Sequence, residues 1–408
     1  MHVLFIHQNY PGQFVHLALS LSRMPGNTVV AIGENKPRPD FGYPVFGYDA
    51  PQVAAAQTHH YIRDYEVQIR RGQHVFRICR KLKARGFVPD VICAHPGWGE
   101  SLFLKDIFPT AHVIVHCEFY YHGQGSDMNF DPEYPADIDG LLKVRIKNST
   151  QLQAMVASDA GISPTQWQKS QYPSVFWPKI HVCHDGIDTD KVCPDRGAVL
   201  TLDDEHGVLT ADDEVVTYVA RNLEPYRGFH SFMRAVPHIQ HMRPNAQIVV
   251  IGGDDVSYGR RLADGVTYRQ ALLKEVQGID PDRVHFLGRV PYSVYLSALQ
   301  ISSVHVYLTY PFVLSWSCLE AMSAGCIVIA SDTSPVREVV TNGKTGLLVD
   351  FFDSKKIADR VSDVLAAPQD FVTLGINARE QVRVDYDLRR VTLPTQMRLL
   401  TDHYKNQL

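Results

Sequence analysis

The sequence predicts two α/β units, each built on a doubly wound parallel sheet and facing the other across a cleft. Three observations predict it. The chain has 408 residues, more than one hydrophobic core serves when domains run to about 150 residues. Short apolar, β-branched runs alternate with amphipathic segments six times and, after a polar interruption, six times again. The runs are apolar nearly throughout rather than every second residue, as strands covered on both faces require.

In the first half the expected strands are Val3–His7, Thr28–Ile32, Val91–Ala94, His112–His116, Met155–Ile162 and Ile180–Cys183. In the second they are Val215–Ala220, Ile248–Ile251, Val284–Leu287, Val304–Leu308, Ile327–Ala330 and Leu347–Val349. Between the sets lie His184-Asp-Gly-Ile-Asp-Thr-Asp190, Pro194 and the acidic stretch Asp203–Asp213. That composition reads as a boundary, with a hinge near Asp185–Arg196 and units of 1–190 and 191–384.

Composition narrows the function. Hydrophobic residues at 45% and charged residues at 21% exclude a disordered, collagen-like or coiled-coil chain. Lys plus Arg number 40 against 44 Asp plus Glu, a net charge of −4, so no global basic field exists and nucleic acid is not an expected partner. Seven cysteines without a C-x-x-C pair point to a reducing, cytoplasmic setting. The apolar run Val3–Ile6 is too short for a signal peptide, and no 18-residue apolar stretch offers a spanning helix.

Ligands of doubly wound sheets bind outside the carboxyl ends of the strands, so the chemistry is sought there. After the first strand comes Gln8-Asn-Tyr-Pro-Gly-Gln13, then a helix from about Phe14. The turn reads either as an anion site, where Gly12 lets backbone approach closely, or as a plain strand-to-helix turn. Tyr218-Val-Ala-Arg-Asn-Leu-Glu-Pro-Tyr-Arg-Gly228 ends a strand and opens a helix at Phe229. Arg221 and Arg227 there suit a bidentate grip on a diphosphate, or are two solvated loop arginines. Tyr307–Gly325 joins a strand to another helix carrying Glu320. A carboxylate at that place accepts from a vicinal diol such as ribose, or merely neutralises the helix dipole.

Arg221–Gly228 is similar to the G-R-L-x-x-x-K-G phosphate clamp of retaining glycosyltransferase family 4, and Leu319-Glu-Ala-Met-Ser-Ala-Gly325 resembles its L-E-A-M-A-C-G helix. Val182–Val192 resembles the family's inter-domain P-N-G-V-D-T-x-x-F segment. Ser334–Val340 with Gly343–Val349 resembles its P-E-V-V and N-G-x-T-G-L-L-V run. The first half matches more loosely, through Pro11, Gly12 and His116. The resemblance implies a GT-B fold of two Rossmann-like domains, the last segment of the chain, 385–408, crossing back onto the first as a helix over roughly Leu388–Tyr404 interrupted by Pro394.

It also implies a retaining, metal-independent glycosyltransferase. The partners would be a nucleotide-diphosphate-sugar donor and a hydroxyl of a glycan or lipid-linked glycan; no cofactor is expected. Arg221 and Arg227 would hold the diphosphate and Glu320 the ribose. Backbone amides across Val313, Leu314, Ser315, Trp316 and Ser317 would meet the distal phosphate and the sugar. Gly12 and Gln13 would close over the donor, and His116 would approach the sugar's primary hydroxyl or the acceptor. Three positions depart from the pattern. Phe312 stands where the first of two motif glutamates should be, Ser315 replaces a glycine and Arg227 replaces a lysine. The readings kept beside it are a nucleotide-sugar 2-epimerase on the same fold and a degenerate nucleotide-binding scaffold.

Other signals are weaker. Asp-x-Asp pairs such as those at 137/139, 188/190 and 385/387 do not follow a strand as a metal-dependent enzyme would need, so no metal site is expected. The nineteen histidines include no H-E-x-x-H and read as structural or solvated. Pro96-Gly-Trp-Gly-Glu-Ser101 lacks G-x-S-x-G and is expected to line the cleft. The basic helix 63–85, with Arg70, Arg71, Arg77 and Arg80 among its cations, either rests peripherally on anionic lipid at the inner face of the membrane or is an ordinary charged surface helix.

Overall fold

The computed structural model describes residues 1–202 and 207–405. The middle of the acidic boundary stretch, 203–206, and the last three residues of the 385–408 segment lie outside them. The chain divides into two compact units: Met1–Asp185 with the segment from Arg389 onward, and Gly186–Leu388.

The first unit carries seven parallel strands: β1 (His2–Ile6), β2 (Thr28–Glu34), β3 (Val45–Tyr48), β4 (Val91–Ala94), β5 (His112–His116), β6 (Ala160–Ser163) and β7 (Ile180–Val182). Their order is β3-β2-β1-β4-β5-β6-β7. The chain winds outward in one direction from β1 and in the other from β4, which sets the topological switch point between those two strands.

Continuous apolarity has a direct cause here. Leu4 and Ile6 point to one face, against Val75, Cys79 and Leu82 of the helix Arg63–Ala84. Val3 and Phe5 point to the other, against Leu17, Ala18 and Leu21 of the helix Val15–Ser22 and against Leu400 of the last helix. Each such side chain contributes about 1.5–3 kcal/mol on burial, so neither face tolerates a polar residue.

The second unit has a hairpin, β8 (Val199–Thr201) and β9 (Val208–Thr210). Six parallel strands follow: β10 (Val215–Asn222), β11 (Gln247–Gly253), β12 (Val284–Gly288), β13 (Val304–Tyr307), β14 (Ile327–Ser331) and β15 (Leu347–Val349). Their order β12-β11-β10-β13-β14-β15 puts a second switch point between β10 and β13.

Several elements differ from expectation. The run Met155–Ile162 is not one strand: Ser149–Ala157 is helical and only Ala160–Ser163 is extended. Thr150, Gln151, Ala154 and Met155 are buried at helical spacing, a period hidden by the apolar content of the run. Strand β3 was not expected because its sequence, Val-Phe-Gly-Tyr, is short and split by glycine. Nor was the hairpin, whose Leu200 and Leu209 are buried beside Val249 and Ile251 although the stretch read as boundary. In the last segment Leu388–Thr392 forms a π-helical turn, and the helix Leu393–Lys405 follows. Pro394 follows closely on that turn, so the helical run begun at Leu388 changes type at the proline.

Candidate active site

At the switch point of the second unit, β10 ends in Arg221 and Asn222, and the chain then turns through Pro225–Arg227 into the helix Phe229–Met242. Gly228 makes the turn possible. Its φ is +69°, and a Cβ there would lie 2.4 Å from Leu308 Cβ. Arg221 is exposed, and among the described residues its guanidinium has no hydrogen-bond or ion-pair partner.

Arg227 is not the open loop arginine that the sequence suggests. It is 7% exposed. Its Nη1 donates to Thr309 Oγ1 and to Val313 O, both at 2.8 Å, and its own carbonyl accepts from the Tyr218 hydroxyl at 2.7 Å. The guanidinium lies 5.5 Å from the Tyr258 ring and 5.8 Å from Phe312. Burial works against its charge, and Tyr307, Tyr258 and Glu224 outweigh that, raising its pKa above the ordinary arginine value.

Phe312 explains its own departure from the family pattern. It is 2% exposed and meets Tyr258 at 4.7 Å and Tyr226 at 5.4 Å, both edge to face. The residue standing for a glutamate is thus one wall of an aromatic cage around Arg227. Glu224 builds another wall and was missed in the sequence. Buried at the same turn, its carboxylate accepts from the backbone N–H groups of Ser257 at 3.0 Å, Tyr258 at 3.1 Å and Gly259 at 2.8 Å, which fixes the loop presenting Tyr258.

After β13, Ser315 caps the helix Trp316–Ser323. Its N–H donates to the Tyr307 hydroxyl at 2.8 Å, and its Oγ accepts from the Ser317 hydroxyl at 3.0 Å and, more weakly, from the Ser317 N–H at 3.4 Å. Two of the five amides expected to meet a distal phosphate therefore already have partners, and Ser315 uses a hydroxyl that glycine lacks. Trp316 is 41% exposed. Glu320 is held as well: its Oε1 accepts from the Tyr292 hydroxyl and its Oε2 from Tyr295, each at 2.6 Å. Lys191 Nζ lies 4.4 Å over the Tyr292 ring.

At the switch point of the first unit, β1 and β4 pair as far as Ile6 and Ala94. The next residues are His7 and His95, their rings 5.1 Å apart. His116, the last residue of β5, lies 5.6 Å from His95, and Trp98 stacks on His95 at 4.4 Å. Gly12 has φ +49°, and a Cβ on it would meet the His7 ring at 2.5 Å, so only glycine brings the turn this close. Gln13 joins the group: its Oε1 accepts from His7 Nε2 at 2.8 Å and its Nε2 donates to Glu118 at 3.1 Å.

Burial, reinforced by His95, lowers the pKa of His7 and that of His116 to about 3. Burial opposes ionisation of Glu118, but its hydrogen bond and electrostatic interaction with the His95 ring pull the carboxyl down to about 2. His116 is less open than expected. It is 5% exposed, its Nε2 has no partner among the described residues, and it lines a small cavity with Gln13, Asp185 and Gln396. The sequence alone marks these histidines as structural or solvated. The signal available was positional: each follows or ends a strand beside the switch point.

Two further expectations change. Glu100 and Ser101 of the Pro96–Ser101 loop are buried, and the Tyr48 hydroxyl donates to Glu100 at 2.6 Å. Arg71 of the basic helix is buried against Glu34 at 3.5 Å and Glu100 at 3.8 Å, and Arg70 pairs with Glu66. The helix's exposed cations are Arg63, Arg77, Arg80, Lys81 and Lys83, with Arg85 just beyond its end; Arg63 and Lys83 donate to backbone carbonyls.

Two doubly wound units, each with its polar groups at a switch point, define a GT-B protein. The chain belongs to the glycosyltransferases of family 4, group 1: a model described as Glycosyl transferase family 4 group matches residues 25–192, and one described as Glycosyl transferases group 1 matches residues 203–381. It is 26% identical over 223 residues to the GDP-mannose-dependent alpha-(1-6)-phosphatidylinositol monomannoside mannosyltransferase of Mycolicibacterium smegmatis, covering 53% of this chain and 55% of the relative. The match thus spans about half the length of that relative. Among solved structures, the chain is similar over 100% of both chains to sucrose-phosphate synthase from Thermosynechococcus elongatus, at TM-score 0.72 and 18% identity. It is also similar to HepE of Anabaena in complex with UDP and glucose, at TM-score 0.68 and 16% identity over 100% of both chains. No helix among the described residues is long and apolar enough to cross a membrane.

Proposed function

We propose that this protein transfers a sugar from a nucleotide-diphosphate donor to a hydroxyl of a glycan or lipid-linked glycan, with retention of configuration and without a metal. The observation that carries the reading is the state of the two arginines inside the stretch matched by the group 1 family model. Arg227 is locked in an aromatic cage, and Arg221, six residues before it, has no protein partner among the described residues. A fixed cation beside an uncommitted one suits a group whose negative charge grows as the anomeric bond breaks.

Donor oxygens bind Arg221 and Arg227, and Glu320 takes the ribose hydroxyls. Of the amides from Val313 to Ser317, those of Val313 and Leu314 are assigned to the distal phosphate and the sugar. Gly12, Gln13 and His116 are assigned to sugar or acceptor hydroxyls. The acceptor oxygen bonds the anomeric carbon on the face that the diphosphate leaves, and the departing phosphate oxygen takes the acceptor's proton, so no enzymic nucleophile is used. The GDP-mannose-dependent relative supports a nucleotide-diphosphate hexose as donor and a lipid-borne acceptor. For such an acceptor, the exposed cations Arg77, Arg80, Lys81 and Arg85 offer an anionic bilayer a peripheral contact.

The test is a thermal-shift screen of GDP-, UDP- and ADP-sugars followed by turnover in excess EDTA. The expected result is one nucleotide that raises Tm and a transfer product made without metal. An epimer formed from the donor alone, or loss of activity in EDTA that Mn²⁺ restores, overturns the reading.

A further inference from the structure

The hydrogen bonds around Gln13 can be given direction without assuming any proton position. Asn9 N–H donates to His7 Nδ1 at 2.9 Å, so that nitrogen is an acceptor, and the proton of the neutral ring sits on Nε2. His7 Nε2 therefore donates to Gln13, which must turn its carboxamide oxygen toward His7 and its NH₂ toward Glu118. Likewise Gly97 N–H donates to His95 Nδ1 at 3.1 Å, which leaves the proton on His95 Nε2, 3.3 Å from Glu118 Oε2. Two backbone donors, fixed by the strands they follow, thus set two ring tautomers and one amide. Both chains of donors end on Glu118, through Gln13 Nε2 and His95 Nε2.

We infer that Glu118 is the positioning residue of the Gly12–Gln13 turn: its carboxylate is the common acceptor that orients Gln13 and His95 and, through Gln13, keeps the turn against His7. A carboxylate is the one side chain of this shape that accepts on both oxygens. An amide cannot replace it. With Gln at 118, an oxygen facing His95 puts an NH₂ against Gln13, which must then reverse and present its own NH₂ to His7. His7 would face donors on both nitrogens while holding one proton. Any other arrangement sets donor against donor, so at least one bond is lost. Exchanging the two residues repairs this on paper: Glu at 13 accepts from His7 and from the NH₂ of Gln at 118, whose oxygen accepts from His95.

The consequence for turnover rests on the proposed function of the turn, so the test has two readouts. Nitrogen-15 NMR of the imidazoles reads the tautomers, and donor kinetics read the turn. Wild type and the exchanged variant Gln13→Glu/Glu118→Gln should both show His7 and His95 with the proton on Nε2. Glu118→Gln alone should shift or broaden at least one of the two rings. It should also lower kcat/KM by about 10- to 100-fold, the loss of one hydrogen bond to a charged group, and the exchange should recover most of that. Unchanged rings in Glu118→Gln, or an exchange no better than the single variant by NMR, overturn the assignment. Restored rings with kinetics still impaired overturn the link from Glu118 to turnover. The NMR pattern in a protein that turns over no nucleotide sugar leaves Glu118 as positioned here and sinks the function.

Discussion

The two units place polar groups at the same point of the same kind of sheet, yet prepare them in opposite ways. At the β1/β4 switch point the groups are neutral imidazoles and amides whose directions backbone N–H groups dictate, ending on a single carboxylate. Beside the β10/β13 switch point they are ions, each with a different degree of freedom: Arg227 caged, Glu320 held by two tyrosines, Arg221 unpaired among the described residues. The first arrangement suits hydrogen bonding to uncharged hydroxyls, and the second suits a polyanion. The same topology supports both because it fixes where strand ends lie and leaves the residues there open.

The strongest expected effects test whether the charge of the second unit is built into its packing. Phe312→Ala should cost about 3–5 kcal/mol, since a buried aromatic wall becomes a cavity. Arg227→Ala removes two charge-assisted bonds from a buried site and should cost about 3 kcal/mol, besides its damage to turnover. Urea denaturation of both variants measures this. Wild-type stability in Arg227→Ala would return that residue to the open loop arginine suggested by the sequence.

Acid should separate the units next. His7 and His116, with pKa values lowered to about 3, are neutral in the folded first unit but charge in the unfolded chain near pH 6.5. The unfolded state therefore binds more protons below pH 6.5, and stability falls by about 1.4 kcal/mol per pH unit for each histidine as pH drops toward 3. Glu118 acts in the same direction lower down, its contribution being lost as pH falls from 4.5 toward 2. The second unit has one comparable group among the described residues, His305, also lowered to about 3 by burial. Between pH 7 and 5 the first unit should lose about 4 kcal/mol and the second about 2. Hydrogen exchange at the two pH values, corrected for intrinsic rates, should show β1, β4 and β5 deprotected before β10 and β13. The reverse order would mean that the histidine cluster is not buried in solution.

Arg221→Ala is the control for the caged arginine. It should leave stability within about 0.5 kcal/mol and lower donor kcat/KM by about 10- to 200-fold. Equal effects of Arg221 and Arg227 on stability would erase the distinction between the fixed and the uncommitted cation.

The same contrast explains what the sequence made legible. Both sheets showed in the apolar runs because strands buried on two faces have no polar positions to blur the pattern. Arg221, Arg227 and Glu320 were found because each lies in a contiguous motif. The first unit's cluster draws His7, His95 and Glu118 from three strand ends, and no local spacing marks residues that only the pairing of β4 with β1 and with β5 brings together. What stayed hidden in the second unit was the protein's own claim on its motif residues. Tyr292 and Tyr295 belong to no motif, Glu224 fills an unspecified position of the clamp, and their bonds to Glu320 and to the 257–259 loop depend on tertiary packing.

The smallest effects concern those tyrosines, and here the sign carries the information. Each oxygen of Glu320 has two lone-pair sites, so a tyrosine hydroxyl and a ribose hydroxyl can share it. If the tyrosines aim the carboxylate, removing either hydroxyl should raise donor KM and leave kcat nearly unchanged. Tyr295 packs against the core beside Leu299 and Met322, so no water easily replaces its hydroxyl, and Tyr295→Phe should raise KM by about 5- to 10-fold. Tyr292 is 41% exposed, water can take its place, and Tyr292→Phe should raise KM only about 2- to 3-fold. A lowered KM in both variants would mean that the hydroxyls compete with ribose for Glu320. The second unit would then hold its carboxylate closed in the absence of donor, where the first unit holds its Gln13 turn already formed.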